Sequence, residues 1–84
     1  MTKTELTVEH RCHDHTFVIE DNGNSAHLDY QLSAGAVHFT HTFVPPLLRG
    51  KGLAERLVDT GLRWAAEEDL RVTTSCWFVA KFLP

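Results

Sequence analysis

The apolar positions of this chain change period near its middle. Upstream they come in short or alternating runs, and from Leu53 to Ala65 they recur every three or four residues. The upstream half therefore predicts strands. Phe17, Val18 and Ile19 form a β-type run that stops at Glu20-Asp21-Asn22-Gly23-Asn24. Asn-Gly between two candidate strands signals a hairpin, because a type I′ turn needs residues that accept positive φ. The return strand spans Ser25 to Leu32, with Ala26, Leu28 and Tyr30 on one face and His27 and Asp29 on the other. After a turn at Ser33-Ala34-Gly35, Ala36 to Val44 is the longest strand candidate. Strict alternation there groups Val37, Phe39, His41 and Phe43 on one side, with His38, Thr40 and Thr42 on the other. Leu6 and Val8 suit the start of a strand, whereas the polar run from His10 to His15 fits no element.

Pro45-Pro46 ends the long strand, since neither residue can donate to a ladder. Leu53, Ala54, Leu57, Val58, Gly61, Leu62 and Ala65 then make one apolar stripe at helical spacing, and Glu55, Arg56, Asp59, Arg63 and Glu67 take the other side. The helix is expected to run to about Glu68, followed by a short strand from Arg71 to Thr74 and a second helix over Ser75 to Phe82.

Composition narrows the class. At 84 residues, the chain suits one small domain over 1–84 with a single modest core. With 43% hydrophobic and 23% charged residues it should fold. A formal net charge of −3 argues against general nucleic-acid binding, so the cations near Arg49 act locally. No apolar run reaches a membrane span and the N-terminus lacks a signal-peptide core, which makes the cytoplasm the expected compartment. Two distant cysteines fit a reduced protein. So small a sheet also makes pairing with a second copy of the chain an expectation.

The main candidate chemistry lies at Arg49-Gly50-Lys51-Gly52-Leu53-Ala54. Glycines let a ligand approach the backbone, and the first turn of the following helix leaves its N–H groups free. Those donors and the helix dipole favour an anion, with phosphate the commonest. Glycines ahead of a helix can equally serve only the turn. The spacing is neither that of a P-loop nor that of a dinucleotide fingerprint. Cys76 stands near a helix start that would favour its thiolate, although free cysteine is most often a small buried hydrophobe. His41, sharing a face with Phe39 and Phe43, reads as a core histidine, and as a base it lacks a carboxylate nearby in sequence. The cluster His10, Cys12, His13 and His15 matches no standard zinc spacing, so no metal is expected. Trp64 and Trp77 suit the core or a groove edge.

The blocks Ala26-His27-Leu28-Asp29-Tyr30, His41-Thr42-Phe43-Val44-Pro45, Arg49 to Ala54 with Leu57-Val58, and Ser75-Cys76-Trp77-Phe78-Val79 are arranged as in a known family. Over roughly residues 16 to 82 the chain resembles the minimal, single-domain GCN5-related N-acetyltransferases. The resemblance implies an α+β, abbreviated acetyltransferase fold. Its sheet would be mainly antiparallel and splayed, with one long helix after the glycine turn and a short C-terminal helix. It further implies that acetyl-CoA lies in the splay, its pyrophosphate received by the backbone of Arg49, Gly50, Lys51, Gly52 and Leu53 where the helix continues through Ala54. Backbone N–H groups of Phe43 or Val44 would polarise the thioester, and Cys76 and His41 are the candidate catalytic residues. Leu47 stands where the broader superfamily has Gln or Arg, and Arg49 is the side chain placed to compensate. Members of the family usually run on past the position of Pro84, which implies a shorter last helix here or a trimmed chain. The expected function is transfer of an acetyl group from acetyl-CoA to an amine, directly or through Cys76. The alternative is a CoA-binding or protein-interaction module without chemistry.

Overall fold

The computed structural model describes residues 7–83. Leu6 and Pro84, which entered the expectations above, lie outside that range. The sheet contains β1 (Glu9–Arg11), β2 (Thr16–Asp21), β3 (Asn24–Ser33), β4 (Ala36–Phe43) and β5 (Arg71–Thr74), side by side in chain order. The first four strands pair antiparallel, and β5 lies parallel to β4 after a crossover through α1 (Leu53–Glu67). The predicted α+β class and splayed, mainly antiparallel sheet are therefore present. The terminal helix α2 is shorter than the pattern suggested, Trp77–Ala80 instead of Ser75 to Phe82.

Local sequence explains most of this. Asn22 and Gly23 take φ of 52° and 81°, which closes the β2–β3 hairpin through the two residues that tolerate it. Pro45 and Pro46 end β4 and start a 3₁₀ turn, Pro46–Leu48, that drops Leu48 into the core. Helix α1 lays Leu53, Leu57, Val58 and Ala65 on a sheet face made by Phe17, Ile19, Ala26, Leu28, Tyr30, Val37 and Phe39. Complete burial of each large side chain contributes roughly 1.5–3 kcal/mol. The helix packs tightly on the sheet at Gly61, where an added Cβ would sit 3.1 Å from both Leu28 Cδ2 and Phe39 Cε1.

The polar run that fitted no element is held by aromatic packing. His10 pairs with Phe17 across β1–β2, stacks on its ring at 4.1 Å, and meets the edge of Trp64 at 4.8 Å. Its Nε2 hydrogen-bonds the Tyr30 hydroxyl. Burial and the nearby His15 push the His10 imidazole below its ordinary value. Cys12–Asp14 forms a 3₁₀ turn closed by His15 in the left-handed region, φ 54°. Trp64 is thus a core-edge residue, as the sequence suggested.

Candidate functional site

One extra residue in β4 organises the site. The β3–β4 register passes from Asp29↔His41 to Tyr30↔Phe39, leaving Thr40 without a partner. Such a bulge reverses the side-chain phase of everything beyond it. His41 and Phe43, which strict alternation grouped with Val37 and Phe39, instead face away from α1 beside Asp29 and His27. His41 is exposed, so its reading as a core histidine is corrected. Thr42 takes the inward phase opposite Leu28.

The bulge lies just past the point where β4 and β5 part. Their ladder ends at Phe39↔Thr74. The Phe39 carbonyl there accepts both the Thr74 hydroxyl at 2.8 Å and the Ser75 N–H at 3.1 Å. Beyond it, the edge of β4 has no strand partner among the described residues. A cavity of about 450 Å³ opens along that edge. Thr42, Phe43 and Val44 form one wall and Cys76, Trp77 and Phe78 the other, with Arg49 and Ala54 closing one end. The Val44 N–H donates to no acceptor among the described residues.

At the closed end, Gly50 and Gly52 hold φ of 82° and 72°. Nothing lies within 4 Å of a Cβ placed on Gly50, so its left-handed backbone, not crowding, calls for glycine there. Gly52 caps α1 without any side-chain hydrogen bond. The N–H groups of Gly50 through Glu55 find no acceptor among the described residues. That is a row of oriented donors at the positive end of a helix dipole. The side chains do less than the sequence suggested. Arg49 reaches the cleft, but its Nε is committed to the Val44 carbonyl at 2.9 Å. Lys51 turns away to Asp21 Oδ2 at 3.2 Å. Leu53 is 3% exposed and points into the core, so only its backbone can serve a ligand. Gly50, Lys51 and Gly52 lie outside the cavity wall and bridge Arg49 to Ala54.

Cys76 contributes the thiol that lines the cleft. Its N–H donates to Thr74 Oγ1 at 3.0 Å, and its sulfur lies 3.5 Å from Thr42 Oγ1. Burial pushes its thiol up, but hydrogen bonding from the Thr42 hydroxyl and from backbone N–H groups of Val79, Phe78 and Thr42 outweighs this. The balance leaves Cys76 below the ordinary cysteine value, which favours thiolate. Trp77 is 74% exposed at the groove edge, with Lys81 Nζ 5.3 Å from its ring centroid.

His41 does not join Cys76 in the cavity. It belongs to a group on the opposite face that sequence reading did not assemble: Thr16, His27, Asp29 and His41. Thr42 and Phe78 were also missed as lining residues. Recognising Thr40 as a bulge would have found Thr42. Among the described residues no three His, Cys, Asp or Glu side chains converge as a metal site. Nor is any described helix long and apolar enough to cross a membrane.

A sheet split beside a bulged strand, with a donor-rich glycine turn at the end of the split, defines the acetyltransferase type of α+β fold. The chain belongs to the GCN5-related N-acetyltransferase family: the profile described as GCN5-related N-acetyl-transferase matches residues 15–84. Among curated proteins it is similar to Protein NATD1 of Bos taurus, 36% identical over 81 residues that cover 93% of this chain and 72% of that one. Protein NATD1 of Danio rerio is 35% identical over 83 residues, covering 95% and 76%. The solution NMR structure of a GCN5-like candidate N-acetyltransferase from Staphylococcus aureus matches with a TM-score of 0.69 at 24% identity. That match covers 98% of this chain and 79% of the other, and it shows the fold.

Proposed function

We propose that this protein binds acetyl-CoA in the cleft beside β4 and transfers the acetyl group to an amine. The observation that carries the reading is the continuity of the split with the glycine turn. An apolar slot along β4 suits a slender pantetheine arm, and it ends at unpaired N–H groups that suit a pyrophosphate. Phe43 and Val44 line the slot, and the unpaired Val44 N–H is a donor for the thioester carbonyl. The backbone of Arg49 to Leu53 receives the phosphates while Arg49 and Ala54 bound their end of the slot. Direct attack by the amine needs only ordered binding, carbonyl polarisation and a proton acceptor. In the covalent route Cys76 thiolate attacks the thioester, CoA leaves as thiolate, and the amine then takes the acetyl group from sulfur.

Isothermal titration with acetyl-CoA and with CoA tests the site, using wild type and Gly50→Glu. Saturable binding lost in the variant is expected, because glutamate adds negative charge on a backbone that disfavours any side chain. No binding at millimolar ligand refutes the reading. Binding without thiol release to any amine points instead to a CoA-binding module. Full turnover by Cys76→Ser rules out the covalent route.

A further inference from the structure

The face of the sheet away from α1 carries a group of ionisable side chains with its own internal order. Asp29 Oδ1 accepts the Thr16 hydroxyl at 2.7 Å and lies 3.1 Å from His27 Nδ1. The His27 ring is 5.9 Å from that of His41 and 5.6 Å from that of Phe43. His41 stands directly across the β3–β4 ladder from Asp29 because of the Thr40 bulge. Alternation alone would have sent it to the other side. Phe43, which packs beside His27, is also part of the cleft wall. The group is therefore one side chain away from the slot, on the side opposite Cys76.

Asp29 differs from the other carboxylates on this face. Glu9 and Glu20, the other carboxylates this face receives from β1 and β2, are both held by Arg11 at 3.1 Å. His38 of β4 is engaged with Thr73 of β5 at 2.7 Å. Among the described residues, Asp29 has no Lys or Arg partner and its Oδ2 accepts no bond. The carboxylate is only partly buried, and the neighbouring His41 is exposed. A carboxylate with a free oxygen beside two imidazoles and an aromatic ring suits a small organic cation that must lose a proton.

We propose that Asp29, His27 and His41 form the acceptor side of this protein, where a protonated primary alkylamine is seated against Asp29 and deprotonated by His41. This rests on the transferase reading above. The ammonium gives one proton to the His41 imidazole, and the freed lone pair forms the C–N bond at the thioester carbonyl. The C–S bond breaks, and the second nitrogen proton passes to the departing CoA thiolate. His27, oriented by Asp29 and Thr16, stabilises the charge on His41 and returns its proton to water. Amine and nucleophilic cysteine thus approach from opposite faces, which favours direct attack.

Two measurements test this. The first is a titration of full-length protein with n-butylamine at pH 7, without acetyl-CoA, followed by the imidazole NMR resonances. Saturable shifts of His27 and His41 are expected in wild type and are lost in Asp29→Asn. The second compares n-butylamine, protonated at neutral pH, with hydroxylamine, which is largely unprotonated there, by CoA thiol release. Asp29→Asn and His41→Gln should each lower kcat/KM for n-butylamine by about 100-fold at pH 7, within the usual range for general-base catalysis. The loss should shrink as pH rises, and hydroxylamine turnover should change less than about 3-fold. Asparagine can still accept from Thr16 and His27, and His38→Gln should leave both rates unchanged. Equal losses for both amines, no loss with n-butylamine, or unmoved resonances would overturn the proposal. Thiol release absent with both amines in wild type overturns the transferase reading and this one with it. Thiol release present with resonances unmoved overturns this one alone.

Discussion

At Gly61 the helix packs tightly on the sheet, and replacing it with alanine sets two effects of similar size against each other. Alanine in mid-helix is favoured over glycine by about 1 kcal/mol. Its Cβ would lie 3.1 Å from Leu28 Cδ2, 3.1 Å from Phe39 Cε1 and 3.2 Å from Phe39 Cζ, each a few tenths of an ångström too near. Flexible neighbours could yield, leaving a net gain. Leu28 and Phe39 cannot, since both are completely buried and Phe39 lies against Tyr30 as well. Overpacking of this kind costs about 1–3 kcal/mol, so the strain should win by about 1 kcal/mol. For a chain of this size the midpoint of thermal unfolding should fall by roughly 4–8 °C. Circular dichroism melts of wild type and Gly61→Ala, with urea titrations to confirm an unchanged m value, provide the assay. A midpoint that holds or rises would refute the claim that Leu28 and Phe39 cannot yield to the added methyl group.

Two further outcomes are expected. Thr42→Val removes a hydrogen bond to Cys76, so the onset of Cys76 alkylation by iodoacetamide should move to higher pH, with exposed Cys12 as reference in the same mass spectrum. An unmoved profile would exclude Thr42 from thiolate stabilisation. His10 is held below its ordinary value in the folded state, so the unfolded chain binds the proton first as pH falls. Stability is then full above about pH 6.5 and declines below it until folded His10 also titrates. Chemical denaturation of wild type and His10→Phe between pH 7.5 and 5 should show wild type losing stability relative to the variant, and parallel curves would contradict this.

Much of the architecture was legible because local chemistry and global structure agree. Asn22-Gly23 marked the hairpin, Pro45-Pro46 the end of β4, and the Leu53-to-Ala65 stripe the buried face of α1. The glycine turn was legible as well, since its left-handed backbone at Gly50 and Gly52 favours glycine over every other residue. Three things were hidden for identifiable reasons. The Thr40 bulge leaves no mark in the composition of Thr40-His41-Thr42, and it inverted the assignment of His41 and Phe43. The His10 to His15 run fitted no element because its order comes from long-range contacts with Phe17, Tyr30 and Trp64. Lys51 counted among the cations near Arg49, but the hairpin brings Asp21 to it from thirty positions away.

The shared carbonyl of Phe39 has a mechanical meaning. Two donors, the Thr74 hydroxyl and the Ser75 amide, converge on it where the strands part. Anything pushed into the split acts as a wedge whose advance this rivet stops. Widening is then confined to the free segment of β4 and to the start of α2, while the β4–β5 ladder behind the rivet stays zipped. Ligand occupancy should therefore leave amide exchange at Thr73 and Thr74 almost unchanged and slow it at Val44. The protein can open its seam without losing the sheet.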